Sequence, residues 1–398
     1  MRRRRAWVSL LALLVVGAGG SFAVPSEPEP LPLLANGGSW ASGRTDDAPG
    51  RDAARAWLDS GTVPGLAPQR EVVERALLDL RALTRPNGAV AAGPTGPWAY
   101  AWPRDNAFVA VAYAVTGHAD DAWRVLRFFV RAQLDDGGFD ARYTLDGSGV
   151  PDNRPRQTDG AGWLLWAIDA VRRETGQPVP ADLRALRDRA VARVLALTAA
   201  GRQLPPASPD YWEVPERRVT LGTVAPLAAS LEAAARSYAA EGDPVRSHAS
   251  ATAAAGLRSV IRDRFGPAYE RHGDRGGLDA GAAMLLPPFA SSADPAVLAA
   301  VRGYAEQAVR PAGGLAPGVA WKSDGVSWTP ETALVAYTAA VSGDRALATR
   351  WRDWLAAHAT GWGSLPEKVL PDGRPAGPAP LAWTAALFVL IEAELAAL

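Results

Sequence analysis

The sequence predicts an all-α protein, an (α/α)6 barrel built as a toroid of six helical hairpins. Three observations predict it. Apolar residues recur three and four apart from about residue 69 to the C-terminus, the spacing of amphipathic helices. Alternating β-branched runs and Asn-Gly hairpin turns are nearly absent. The connections between the helical segments alternate between short and long.

Twelve helices are expected, at 69–84, 104–116, 119–132, 157–174, 180–199, 217–241, 243–265, 278–285, 294–307, 329–342, 345–359 and 378–396. Short links leave the even-numbered ones: TGHAD at 116–120, TGQPVP at 175–180, EGDP at 241–244, PPFASSADP at 287–295 and SGD at 342–344. Gly stops one helix, and Asp or Pro starts the next. Long links enter the even-numbered helices, at 85–103, 133–156, 200–216, 266–277, 308–328 and 360–377. If the even-numbered helices form the inner layer, every long loop gathers on one rim. The N-termini of the inner helices then point at that rim with free N–H donors. A superhelical array is the competing architecture, and the chain shows no fixed-period repeat to support it.

The N-terminus reads MRRRRAWVSLLALLVVGAGGSFAVPSEPEP. Four arginines precede an uncharged apolar run, and small residues follow at Ser21-Phe22-Ala23. Residues 1–23 are expected to be a signal peptide or an N-terminal anchor, which places the protein outside the cell, secreted or tethered to the membrane. Residues 24–64, rich in Pro, Gly, Ser and charge, are expected to be a linker or irregular arm, and residues 65–398 the helical domain.

Composition narrows the chemistry. The 398 residues are 48% hydrophobic, so a large core can be buried, and the formal net charge is zero. No basic stripe points to nucleic acid. With no cysteine, thiolate nucleophiles, disulfides and Cys-ligated metals are excluded. His118, His248, His272 and His358 are scattered, with no HExxH pair, so neither a metal nor a cofactor is expected and acid–base work falls to Asp and Glu. The 15 tryptophans suit stacking on sugar faces as well as packing in helical cores.

The chemistry-capable residues fall on the expected rim. The first long loop ends WAYAWPRDN, with Trp98, Tyr100 and Trp102 ahead of Arg104 and Asp105. The later loops bring Gln157 and Asp159, then DYWE with Trp212 and Glu213, then SWTPE with Trp328 and Glu331, then LPEKV with Glu367, and Trp383 one turn further on. Asp, Arg and Gln hydrogen-bond ring hydroxyls, while indoles stack on C–H faces. Glycoside cleavage also needs two carboxyl groups flanking the bond, one of them protonated at the working pH. Glu213, beside Tyr211 and Trp212, is the expected proton donor in an apolar setting, and Glu367 can face it from the last loop. Each residue also has an ordinary reading. Arg104 and Asp105 can be a helix-start ion pair, Asp159 a cap, Glu213 a solvated loop acid and Glu367 a partner of Lys368, with the tryptophans as core. Their joint placement on one rim favours the functional reading.

In these blocks the chain resembles the glucoamylase family of glycoside hydrolases, family 15, which also holds glucodextranases and some trehalases. The resemblance runs from about residue 65 to the C-terminus. It is carried by WAYAWPRDNAFVAVA at 98–112, RQTDGAGWLLWAI at 156–168, DYWE at 210–213, GLDAGAAMLLP at 277–287 and LPEKVLPDGRPAGPAPLAWTAALFVL at 365–390. It implies an exo-acting, inverting α-glucosidase that releases glucose from α-linked glucans or oligosaccharides, with Glu213 as general acid and Glu367 as general base. It further implies that Arg104 and Asp105 hold the terminal glucose with Trp102 as the aromatic beside them, that Trp98, Trp212 and Trp383 contact sugar, and that Gln157 and Asp159 stand near the same pocket. A monomer acting on an oligo- or polysaccharide is expected. The chain departs from the family where Val214 follows the acid, Lys368 follows the base, and Asn153 replaces a tryptophan. Lys368 would favour the ionised form a base needs. The departures also leave open a trehalase, an α-1,6-glucosidase or a silent carbohydrate-binding protein, and a lyase on a similar toroid is a further alternative.

Overall fold

The computed structural model describes residues 48–397. The expected signal or anchor at 1–23 lies outside the described residues. The expected irregular arm is described only in its last part, and there it carries a helix, α1 (Ala48–Asp59).

Eleven further α-helices follow among the described residues: α2 (Gln69–Leu83), α3 (Pro103–Val115), α4 (Ala119–Ala132), α5 (Asp159–Thr175), α6 (Ala181–Leu197), α7 (Leu221–Ala240), α8 (Pro244–Phe265), α9 (Pro295–Gln307), α10 (Thr329–Val341), α11 (Arg345–Ala357) and α12 (Ala382–Ala397). The helix expected over 278–285 is a shorter 3-10 segment, Ala280–Leu285. Asp279 caps its start through Gly281 N–H, Leu286 is already extended, and Pro287 and Pro288 prevent continuation. The last helix starts at Ala382 rather than 378, because Pro378 and Pro380 cannot join its hydrogen-bond ladder.

Neighbour contacts close a ring: α12 packs on α3, α3 on α5, α5 on α7, α7 on the 3-10 segment, that segment on α10, and α10 back on α12. The outer helices α2, α4, α6, α8, α9 and α11 each pack on an inner partner. This is the six-hairpin toroid. The two layers differ in residue character for a physical reason. Inner helices meet neighbours on every side, so they are apolar all round. In α3 every residue from Pro103 to Ala114 is buried, and in α10 every residue from Thr329 to Ala340. Outer helices bury one stripe, as α4 does with Ala122, Trp123, Val125, Leu126, Phe128 and Phe129. Small residues let the inner backbones approach: a Cβ on Gly162 of α5 would stand 2.7 Å from the backbone of Pro226 in α7.

Caps place the helix starts. Asp243, Asp294 and Asp344 accept hydrogen bonds from the first-turn N–H groups of α8, α9 and α11, and Thr220 does so for α7. Pro103 opens α3 at a position where a missing N–H costs nothing. Three two-residue strands also form an antiparallel sheet on the rim: β1 (Ser327–Trp328), β2 (Lys368–Val369) and β3 (Pro375–Ala376), with Trp328 opposite Lys368 and Lys368 opposite Ala376. This sheet ties the loop before α10 to the loop before α12.

Candidate active site

The long loops converge at the N-terminal ends of the inner helices, around a cavity of about 280 Å³. Trp98, Trp102, Arg104, Asp105, Trp212, Glu213, Glu367 and Trp383 all line it. These are eight of the ten residues given a role from sequence, drawn from three loops and two helix starts. Gln157 and Asp159 stand behind the wall instead. Gln157 Nε2 donates to Glu213 Oε1 at 2.7 Å, and Asp159 accepts from Trp163 Nε1 at 3.0 Å.

The DYWE segment is a turn organised by its aspartate. Asp210 is fully buried. Its Oδ1 accepts from Trp212 N–H at 2.9 Å, and its Oδ2 accepts from Thr220 Oγ1 at 2.6 Å. Glu213 N–H closes the turn on Asp210 O at 2.9 Å, leaving Glu213 at φ +56°. A left-handed backbone at a residue with a Cβ stores strain, here at a side chain aimed into the pocket. Arg271 holds the turn from beneath. Its guanidinium reaches Asp279 at 2.8 Å, Asp210 at 2.8 Å and Glu216 at 2.7 Å, and stacks 3.7 Å from the Trp212 ring.

The surroundings of Glu213 differ from the apolar setting expected for it. Its side chain is 28% exposed. Oε1 accepts from Trp102 Nε1 at 3.0 Å as well as from Gln157, and Oε2 accepts from Arg154, with Arg104 a further 3.9 Å away. The physical reason is the loop at 133–158, which delivers Arg142 and Arg154 to the pocket wall. Sequence reasoning passed over both because loop arginines carry no distinguishing pattern. Arg142 lies over the Tyr100 and Trp102 rings at 4.6 and 5.1 Å and pairs with Asp152, which also contacts Arg154.

Glu367 is 8% exposed and pinned at its backbone. Its N–H donates to Pro378 O at 2.9 Å, and its carbonyl accepts from Thr329 N–H at 3.0 Å. Trp98 Nε1 donates to its Oε1 at 3.1 Å, and Lys368 Nζ lies 3.0 Å from its Oε2. Both carboxylates therefore carry a tryptophan donor and a cation.

Arg104 and Asp105 form a buried ion pair at 3.1 Å, with the Arg104 guanidinium 4.6 Å from the Trp383 ring. Burial works against the Arg104 charge, but the acids around it hold its pKa above the usual range. Burial outweighs Arg104 at Asp105 and raises that carboxyl's pKa. It also pushes Asp159 up to about 7 and Glu331 up to about 8. Glu331, Trp328, Tyr211 and Lys368 also line the pocket. Arg104 Nε and Nη1 have no hydrogen-bond partner, nor does Trp383 Nε1. A wall of indoles, paired acids and unengaged donors is complementary to a hydroxyl-rich ring.

A six-hairpin toroid with its polar pocket on the loop rim defines the fold class, and known structures narrow it. A wild-type glycosidase matches with a TM-score of 0.71 and 23% identity, covering 82% of this chain and 96% of that one. A variant glycosidase in complex with glucose matches with a TM-score of 0.72 and 22% identity, over the same shares of the two chains. A glucoamylase from Saccharomycopsis fibuligera matches with a TM-score of 0.67 and 15% identity, covering 86% of this chain and 95% of that one. The fold is that of glucoamylase-like six-hairpin glycosidases. In sequence, an uncharacterized glycosyl hydrolase of Methanocaldococcus jannaschii is 31% identical over 107 residues, 26% of this chain and 17% of the length of that relative. No family model matches the chain.

Proposed function

We propose that this chain is a glycoside hydrolase, an exo-acting inverting α-glucosidase that frees glucose from the non-reducing ends of α-linked glucans or oligosaccharides. One observation carries the reading. Glu213 and Glu367, 154 positions apart in sequence, line one pocket beside the Arg104–Asp105 pair and the Trp383 ring. Glu213 protonates the leaving glycosidic oxygen. Glu367 takes a proton from a water, which attacks the anomeric carbon from the opposite face, and configuration inverts. Arg104 and Asp105 hold the terminal ring. Export through the N-terminal segment and action as a monomer on extracellular saccharides belong to the same proposal, with an uncleaved anchor as the route to a membrane.

The test is proton NMR of early product from maltose and maltotriose. β-Glucose appearing first is the expected result, and α-glucose appearing first overturns inversion. Glu213→Gln and Glu367→Gln should each lower kcat by at least about a hundredfold with the fold intact, since general acid–base catalysis is worth roughly 10²–10⁴. A panel of maltose, isomaltose, trehalose and starch separates this specificity from a trehalase or an α-1,6-glucosidase.

One observation favours a second reading, sugar binding without cleavage. Arg154 and Lys368 each pair with one of the two carboxylates. Calorimetric sugar binding with no glucose released from any member of the panel would select it.

A further inference from the structure

The pocket holds a third carboxyl that a two-carboxyl mechanism leaves unused. Glu331 sits in the first turn of α10, on the pocket wall, and is 2% exposed. Its Oε2 has no hydrogen-bond partner. The charged and titratable groups that face it come from four elements: Arg104 on α3, Glu367 ahead of α12, Asp279 ahead of the 3-10 segment, and Tyr304 on α9. Arg104 is already paired with Asp105, and Lys368 with Glu367. Among the described residues no cation forms an ion pair with Glu331, unlike Glu213 and Glu367. Burial pushes its carboxyl up to about 8, so it carries its proton at neutral pH. A protonated carboxyl has one O–H donor and spare acceptor sites, which matches a sugar hydroxyl, itself both donor and acceptor.

We propose that Glu331 is a further sugar-binding residue, which hydrogen-bonds a ring hydroxyl at the buried end of the pocket beside Arg104 and Asp105. This deepens the glycosidase reading and rests on it. The buried carboxyl, without an ion-pair partner, finds its partner in the substrate. It also gives the pocket a means of choosing among hydroxyl arrangements, because a sugar lacking an oxygen at that point leaves Glu331 unsatisfied.

The test is calorimetric binding of glucose to the full chain between pH 6 and 9.5, which requires no turnover. With the acid form as donor, affinity holds at low pH and weakens as pH rises past about 8, approaching roughly tenfold per pH unit. Glu331→Gln keeps an uncharged N–H donor and leaves every other titratable group in place. Its glucose affinity should stay within a few-fold of wild type at pH 6 and lose this pH dependence. Glu331→Leu should lose at least about tenfold in affinity at pH 6, with circular dichroism confirming its fold. In maltose cleavage, Glu331→Gln should change KM more than kcat. Glucose affinity that is flat with pH in wild type and unchanged in Glu331→Leu overturns the assignment. So does a collapse of kcat in Glu331→Gln with glucose affinity unaltered, which would place the residue in proton transfer. Binding with the expected pH dependence but no cleavage of any glucoside would leave this assignment standing and overturn the hydrolase reading instead.

Discussion

Replacing Arg271 by Leu should damage stability and the acid-bearing turn together. Arg271 is 2% exposed, and two of its three carboxylate partners, Asp210 and Asp279, are fully buried. Removing one member of a buried ionic network costs about 3–5 kcal/mol, because the remaining charges stay desolvated without a partner. Loss of the guanidinium stacked 3.7 Å from Trp212 adds roughly 1 kcal/mol. The sum is a large part of the ~5–15 kcal/mol that keeps a domain folded. The deficit should also depend on pH. Burial raises the Asp279 pKa even in the presence of Arg271, whose charge is the main opposing influence, so the variant's Asp279 rises further. A carboxyl whose folded pKa exceeds its unfolded value keeps its contribution below about pH 4 and loses it as pH rises. Urea titrations followed by tryptophan fluorescence at pH 5 and 7.5 should therefore give a larger loss at pH 7.5. Activity should fall beyond what the unfolded fraction explains, because Asp210 orders the turn that carries Glu213. A loss under about 1 kcal/mol at pH 7.5, or one that does not change with pH, would refute this account of the turn.

Gly377 has φ +73°, and a Cβ there would lie 2.7 Å from Glu367 Oε2 and 3.0 Å from Glu367 Cβ. Gly377→Ala should cost about 1–2 kcal/mol in backbone strain and displace Glu367, cutting kcat at least tenfold; thermal melts and steady-state kinetics would read both. Trp98→Phe keeps a ring on the pocket wall but removes the N–H that donates to Glu367, so kcat should fall by severalfold, and a change confined to KM would contradict that role. Asp159 is raised to about 7 by burial, above its unfolded value, so its contribution to stability is present below about pH 4 and lost as pH approaches 7. Asp159→Asn, which can still accept from Trp163, should flatten the fall in stability over that window by at most roughly 4 kcal/mol in urea titrations.

Much of the helical order was legible because apolar spacing, helix stops and the alternation of link lengths are local features of the chain. The stops at Gly117, Gly176, Gly242 and Gly343 occupy left-handed turns, as a chain reversal requires. The eighth segment misled because apolar content alone does not set helix type. Asp279 and the two prolines confine it to a 3-10 run. The pocket blocks were legible where local chemistry is unusual, as in WPRD and LPEK. Arg142 and Arg154 were not, because only the course of the loop at 133–158 brings them over Tyr100 and Glu213.

Taken by itself, the chain determined which residue types could do acid–base work, the order of most helices, and the alternation of short and long links between them. Those are local properties, written in spacing, caps and composition. Which carboxyls are exposed, paired or protonated was decided only when the ring closed. The partners of Glu213, Glu331 and Glu367 come from segments far apart in sequence, and desolvation and charge depend on distance in space.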